Sequence, residues 1–139
     1  MSIKSDIRFL LVGIGVEFQI VSEYASQAGV LEKNLRIFLA ISKSSVSEIL
    51  SAATISTSQF IDLPEMRNNS ANKVFYAMAS TTPVAINHEG CQADLLRSEQ
   101  AGLVLDAHDH RGAAEQLHSF EHDENRLTTA GWNSARLEK

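Results

Sequence analysis

Apolar residues along this chain fall into short runs separated by polar turns, and two rhythms alternate. Residues 7–12 (Ile-Arg-Phe-Leu-Leu-Val) show little alternation, the pattern of a strand buried on both faces of a parallel sheet. Gly13-Ile14-Gly15 ends it. Residues 16–27 then set Phe18, Ile20, Val21 and Tyr24 along one side of a helix, which Gly29 stops. Residues 35–39 predict a second strand, and Ser44 or Ser45 caps a helix reaching about Ala52. A poor third strand over 54–57 leads into a polar loop over 58–68, long for a strand–helix connection. A short helix over 71–79, capped by Ser70, is apolar on most sides (Ala71, Val74, Phe75, Ala77, Met78, Ala79) and so is expected to pack inside a domain. Ser80-Thr81-Thr82-Pro83 ends that helix, because proline disfavours helical backbone in the residue before it. Val84-Ala85-Ile86 follows as a short buried strand.

The turn His88-Glu89-Gly90 opens a helix over 91–99 with Leu95 and Leu96 inward, and a fifth strand covers 101–105. Two surface helices over 109–119 and 123–138 follow, with Trp132 and Leu127 as their best anchors. Strands and helices alternate throughout, which predicts an α/β, three-layer, Rossmann-like domain with a parallel sheet. A length of 139 residues suits one such domain spanning 1–139.

Composition narrows the function classes. The chain is 44% hydrophobic, 21% charged and 6% aromatic, an ordinary globular balance. A net charge of −5 with scattered Lys and Arg argues against nucleic acid as the main partner, since phosphate backbones are held by clustered cations. No apolar run is long enough to span a bilayer, and the N-terminus lacks a signal-peptide pattern. The single Cys91 forms no internal disulfide and fits a reducing, cytoplasmic setting. It reads as a small buried or half-buried thiol rather than a nucleophile.

Lys73 is the one odd residue in the central stretch. A cation in the first turn of a helix is disfavoured by the helix dipole, by about 0.3–1 kcal/mol. An anion bound at that helix start reverses the sign; a lysine that simply reaches water is the plainer account. Strand–glycine turn–helix at Gly13 invites a dinucleotide reading, but Phe18 stands at the third glycine's place and Glu17 repels a pyrophosphate. The run Asp106-Ala107-His108-Asp109-His110 is ligand-like, yet Asp109 is placed to cap a helix, so no metal site is expected. His88-Glu89 is an acid–base pair only if each finds a partner, and the sequence fixes none.

Asn69, Ser70, Ala71, Asn72 and Lys73, then Phe75 and the segment Pro83-Val84-Ala85-Ile86-Asn87, carry a resemblance. Together they resemble the donor-site helix of retaining glycosyltransferases with two Rossmann-like domains, the GT-B fold of family four. The likeness is strongest to a bacterial polysaccharide and lipopolysaccharide branch and extends from about Ile7 to the C-terminus. It implies that the chain is the donor-binding half of a GT-B fold, with no cofactor, moving a sugar from a nucleotide-sugar to a polysaccharide or lipid-linked acceptor.

By that resemblance Ser70, Ala71, Asn72 and Lys73 hold the donor's diphosphate, with the Gly13 loop approaching the sugar nucleotide. The base lies against the backbone near Ile41, and Tyr76 falls at the ribose-binding position. The wider family has two glutamates in this region, at places occupied here by Asn68 and Tyr76; the branch typically has Asn at the first and keeps a carboxylate at the second. A phenol there supplies no charge near neutral pH. The family's first strand, closing helices and N-terminal acceptor domain are expected outside this chain, in cis or in trans. No catalytic residue is assigned, and the chain is expected to transfer no sugar by itself. Any attachment at the inner membrane is peripheral and runs through such a missing part. The alternative is a non-catalytic partner subunit, a decayed domain that binds no nucleotide.

Overall fold

The computed structural model describes residues 6–13, 15–60, 64–66 and 72–138, which divide into two compact units, Met1–Ser45 and Val46–Lys139. The first unit holds β1 (Phe9–Val12), α1 (Phe18–Gln27) and β2 (Leu35–Phe38). Its two strands run parallel, Phe9 opposite Leu35 through Val12 opposite Phe38. Gly29 stops α1 as expected, donating to Ser26 O at 3.0 Å. The expectation that β1 is covered on both faces fails, since Phe9, Leu10 and Leu11 are each nearly half exposed. The α1 stripe is also open, with Ile20 and Tyr24 in solvent and Ala25 the buried residue. A two-stranded ladder and one helix lack the area to cover both sides of a strand.

α2 (Lys43–Ala52) begins at the end of the first unit and runs into the second. Its start is capped earlier than expected: Ser42 Oγ, not Ser44 or Ser45, accepts from Ser45 N at 3.4 Å. The second unit continues with β3 (Ser56–Ser58), a 3-10 turn (Pro64–Met66) and α3 (Asn72–Ala79). Then come β4 (Val84–Ile86), α4 (Cys91–Glu99), β5 (Gly102–Val104), α5 (His110–Glu121) and α6 (Glu124–Glu138). Strands β3, β4 and β5 form a parallel sheet in that order, with Ser56 opposite Val84 and Val84 opposite Gly102. The α/β class with parallel strands read from the sequence is what the chain adopts.

The core of the second unit forms where α3 and α4 cover β4. Val74, Ala77, Met78, Val84, Ile86, Ala93, Leu96 and Ala101 pack into one cluster. Burying a side chain the size of Met78, Ile86 or Leu96 contributes about 1.5–3 kcal/mol. All three residues of β4 are buried, the signature of a central strand between helices. Thr82 ties the end of α2 to this core, its hydroxyl donating to Leu50 O at 2.6 Å and so satisfying a carbonyl of that helix's last turn.

α6 packs on α3 and β5 through small residues. Gly131 approaches so closely that a Cβ there would lie 2.9 Å from Thr81 O. The buried Ser134 hydroxyl donates to Ala101 O at 2.9 Å, and Asn133 Nδ2 to Gln100 O at 3.3 Å. Trp132 is therefore not the anchor expected of it: it is 71% exposed, while Ala130 and Phe120 are buried. The inward positions of α6 are 130, 131 and 134, and 132 falls off that stripe.

Candidate functional site

Helix α3 follows the loop that leaves the carboxyl end of β3 and runs back to the start of β4. Since β3 and β4 are parallel neighbours, the first turn of α3 lies at the carboxyl end of the sheet, where open α/β sheets bind ligands. Ser70 and Ala71, with Asn68 and Asn69, lie outside the described residues. Asn72 and Lys73 open the helix, and both are exposed. Lys73 has no ion pair among the described residues. Tyr76, three and four positions on, shares their side of the helix and is 51% exposed. Val74, Ala77 and Met78 are buried on the opposite side, so α3 is half buried rather than enclosed. Phe75, expected inside, is 40% exposed. Asn72, Lys73 and Tyr76 thus form one polar strip held by an apolar back.

Gly13 and Ile41 belong to the first unit. Gly13 directly follows β1, donates to Phe38 O at 3.0 Å, and lines an apolar cleft of about 270 Å³ with Leu11, Val12, Phe18 and Val21. Glu17 is also on that cleft. A carboxylate there opposes a pyrophosphate. Ile41 is half-buried in the coil after β2.

The pair His88-Glu89 is split. Glu89 turns outward and takes a bidentate bond from Arg97, at 2.6 and 2.7 Å. That bond, ahead of any burial, raises the Arg97 guanidinium above its ordinary range. His88 turns inward, is buried, and lies against the Phe60 ring at 4.9 Å between centroids. Asn87 fixes the approach of Phe60, its Oδ1 accepting from Phe60 N at 2.8 Å and its Nδ2 donating to Phe60 O at 3.0 Å. Sequence reasoning missed this cluster, because a pair of residues that bond each other's chain twenty-seven positions apart leaves no local pattern.

Asp109 caps α5 as expected, its Oδ1 accepting from Gly112 N at 2.8 Å, while Asp106 Oδ1 accepts from His108 N at 2.8 Å. Both carboxylates are used to shape the loop. Cys91 is exposed, not buried as expected, because it is the first residue of α4 and lies on its solvent side. Among the described residues no helix is long and apolar enough to cross a membrane.

The chain matches the sequence profile of the glycosyl transferases group 1 over residues 1–136. It belongs to that family. No protein of curated function matches it significantly by sequence alone. Its fold is similar to that of Anabaena HepE, solved in complex with UDP-glucose, with a TM-score of 0.77 at 15% identity, covering 94% of this chain and 35% of that one. It is also similar to S. aureus TarM, solved with UDP among its ligands, with a TM-score of 0.74 at 15% identity over 91% of this chain and 24% of that one. A third likeness is to WaaG, a glycosyltransferase involved in lipopolysaccharide biosynthesis, with a TM-score of 0.70 at 18% identity over 94% of this chain and 33% of that one. At these identities the likeness shows the fold: a Rossmann-like half of a GT-B glycosyltransferase. The chain spans about a third of the HepE and WaaG chains and about a quarter of TarM.

Proposed function

We propose that this member of the glycosyl transferases group 1 is the donor-binding part of a glycosyltransferase and that the start of α3 receives the diphosphate of a nucleotide-sugar. The observation that carries this reading is Lys73: exposed, without an ion pair among the described residues, and in the first turn of a helix at the carboxyl end of the sheet. An uncompensated cation is unfavourable there by about 0.3–1 kcal/mol in the free protein. A bound diphosphate turns that cost into a charge-assisted contact and adds the helix's own amides. Ser70 and Ala71 hold the diphosphate together with Asn72 and Lys73 in this reading. Tyr76 faces the ribose as a hydrogen-bonding group without charge.

HepE and TarM were solved with UDP-glucose and with UDP, which makes uridine diphosphates the first donors to try. Sugar transfer requires an acceptor held in line with the donor, and a chain one third of its neighbours' length is proposed to supply only the donor wall. An acceptor domain then works with it in cis or in trans, at a cytoplasmic site, and the purified chain shows no turnover with any nucleotide-sugar.

Titration of UDP, GDP and ADP against 15N-labelled chain tests the reading. Amide shifts at Asn72 and Lys73, and a loss of affinity of about tenfold in Lys73→Ala, are expected. Shifts confined to residues far from α3 refute it, and absence of any nucleotide binding selects a non-catalytic partner subunit instead.

A further inference from the structure

Ser58 stands opposite Ile86 in the β3–β4 ladder. Two residues further on, Phe60 and His88 fall on the same face of that ladder, and their rings lie 4.9 Å apart at 47°. The register therefore persists past the ends of both strands, held by the two bonds between Asn87 and the Phe60 backbone. Ser58 and His88 are 2% and 8% exposed, yet Ser58 Oγ and His88 Nε2 have no hydrogen-bond partner among the described residues. Native proteins pair almost all buried polar atoms, because an unmade bond in a water-poor site is costly. Two such atoms on one face, at the carboxyl end of adjacent parallel strands, point to a ligand.

We infer that Ser58 and His88 bind hydroxyl groups of the sugar carried by the donor, an inference that rests on the donor-binding reading above. The chemistry of His88 selects the group. Its Nδ1 is 3.4 Å from Glu89 O, and a carbonyl oxygen only accepts, so this contact is a hydrogen bond in the tautomer with the proton on Nδ1. In that tautomer Nε2 is a bare acceptor. A phosphate oxygen also only accepts and leaves Nε2 unsatisfied; a sugar hydroxyl donates to it. Ser58 Oγ donates to or accepts from a second hydroxyl. The diphosphate and the sugar are thereby read by different residues: Asn72 and Lys73 for the first, Ser58 and His88 for the second.

The test compares each of UDP, GDP and ADP with its glucose conjugate by calorimetry, using the full chain and the variants His88→Phe and Ser58→Ala. His88→Phe keeps a ring of similar size against Phe60, and the affinity for the bare diphosphate reports that each variant is folded. Expected is a conjugate that binds the parent chain more tightly than its diphosphate. Most of that gain, about tenfold per lost bond, disappears in each variant while diphosphate affinity stays within about twofold. A gain that survives both substitutions overturns the inference and leaves the donor reading intact, as does a parent chain in which glucose adds nothing. Failure of the parent chain to bind any of the diphosphates or conjugates overturns the donor reading and this inference with it.

Discussion

Thr81 occupies a backbone conformation, φ +62°, that L residues with branched side chains avoid. Its place explains why it is held there. Thr81 N–H donates to Met78 O at 3.0 Å and Thr82 N–H to Ala77 O at 3.0 Å, closing α3 with a left-handed residue just beyond its last turn. For an L residue that conformation brings Cβ against the following carbonyl at a cost of about 1–2 kcal/mol. The Thr81 side chain is exposed and makes no hydrogen bond among the described residues, so its removal forfeits little. Thr81→Gly relieves the strain but adds freedom to the unfolded chain, which opposes folding by about 0.5–1 kcal/mol. The difference predicts a net stabilisation of about 0.5–1 kcal/mol. Urea unfolding followed by circular dichroism reads it as a midpoint about 0.3–0.5 M higher at unchanged slope, for an m-value within the range of small domains. A midpoint that is unchanged or lower, with the slope intact, refutes the claim that this turn is strained.

Other substitutions follow from the same packing. A Cβ at Gly102 would lie 2.0 Å from Val84 O in the neighbouring strand, so Gly102→Ala forces β4 and β5 apart and lowers stability by about 2–4 kcal/mol in the same urea assay. Asp109→Ala leaves the Gly112 amide without its acceptor and costs about 1 kcal/mol, with Asp109→Asn restoring most of it. Lys73→Ala is the reverse case: it leaves thermal stability unchanged or raised by about 0.3–1 kcal/mol while weakening diphosphate binding. A Lys73→Ala chain that loses stability would show the lysine to be structural.

Most of the second unit was legible because its elements are marked locally. The run Val84-Ala85-Ile86 is apolar at every position and is buried at every position, and α4 keeps the bounds that its pattern predicts. Asp109 before a polar helix is a local signal, and it caps that helix. The first unit was less legible. Phe9-Leu10-Leu11 reads as a strand closed on both sides, but the period of a strand says nothing about how much chain is present to cover it. Trp132 failed for a related reason: size suggested an anchor, whereas the stripe through Ala130, Gly131 and Ser134 decides what faces in. At the candidate site Lys73 stood out by breaking a charge rule. Ser58 and His88 broke no rule in sequence, since their burial and missing partners are set by Phe60 and Asn87 from a distant segment.

The seating of α6 has a further consequence for how the polypeptide reaches its native state. Gly131 meets the turn after α3, Ser134 holds the backbone just before β5, and Asn133 holds Gln100 beside it. A later segment of the chain thus locks elements made some thirty to fifty residues before it. Folding of this unit is therefore completed only after synthesis has passed α6, and until then the hydrophobic backs of α3 and β5 stay open to chaperones.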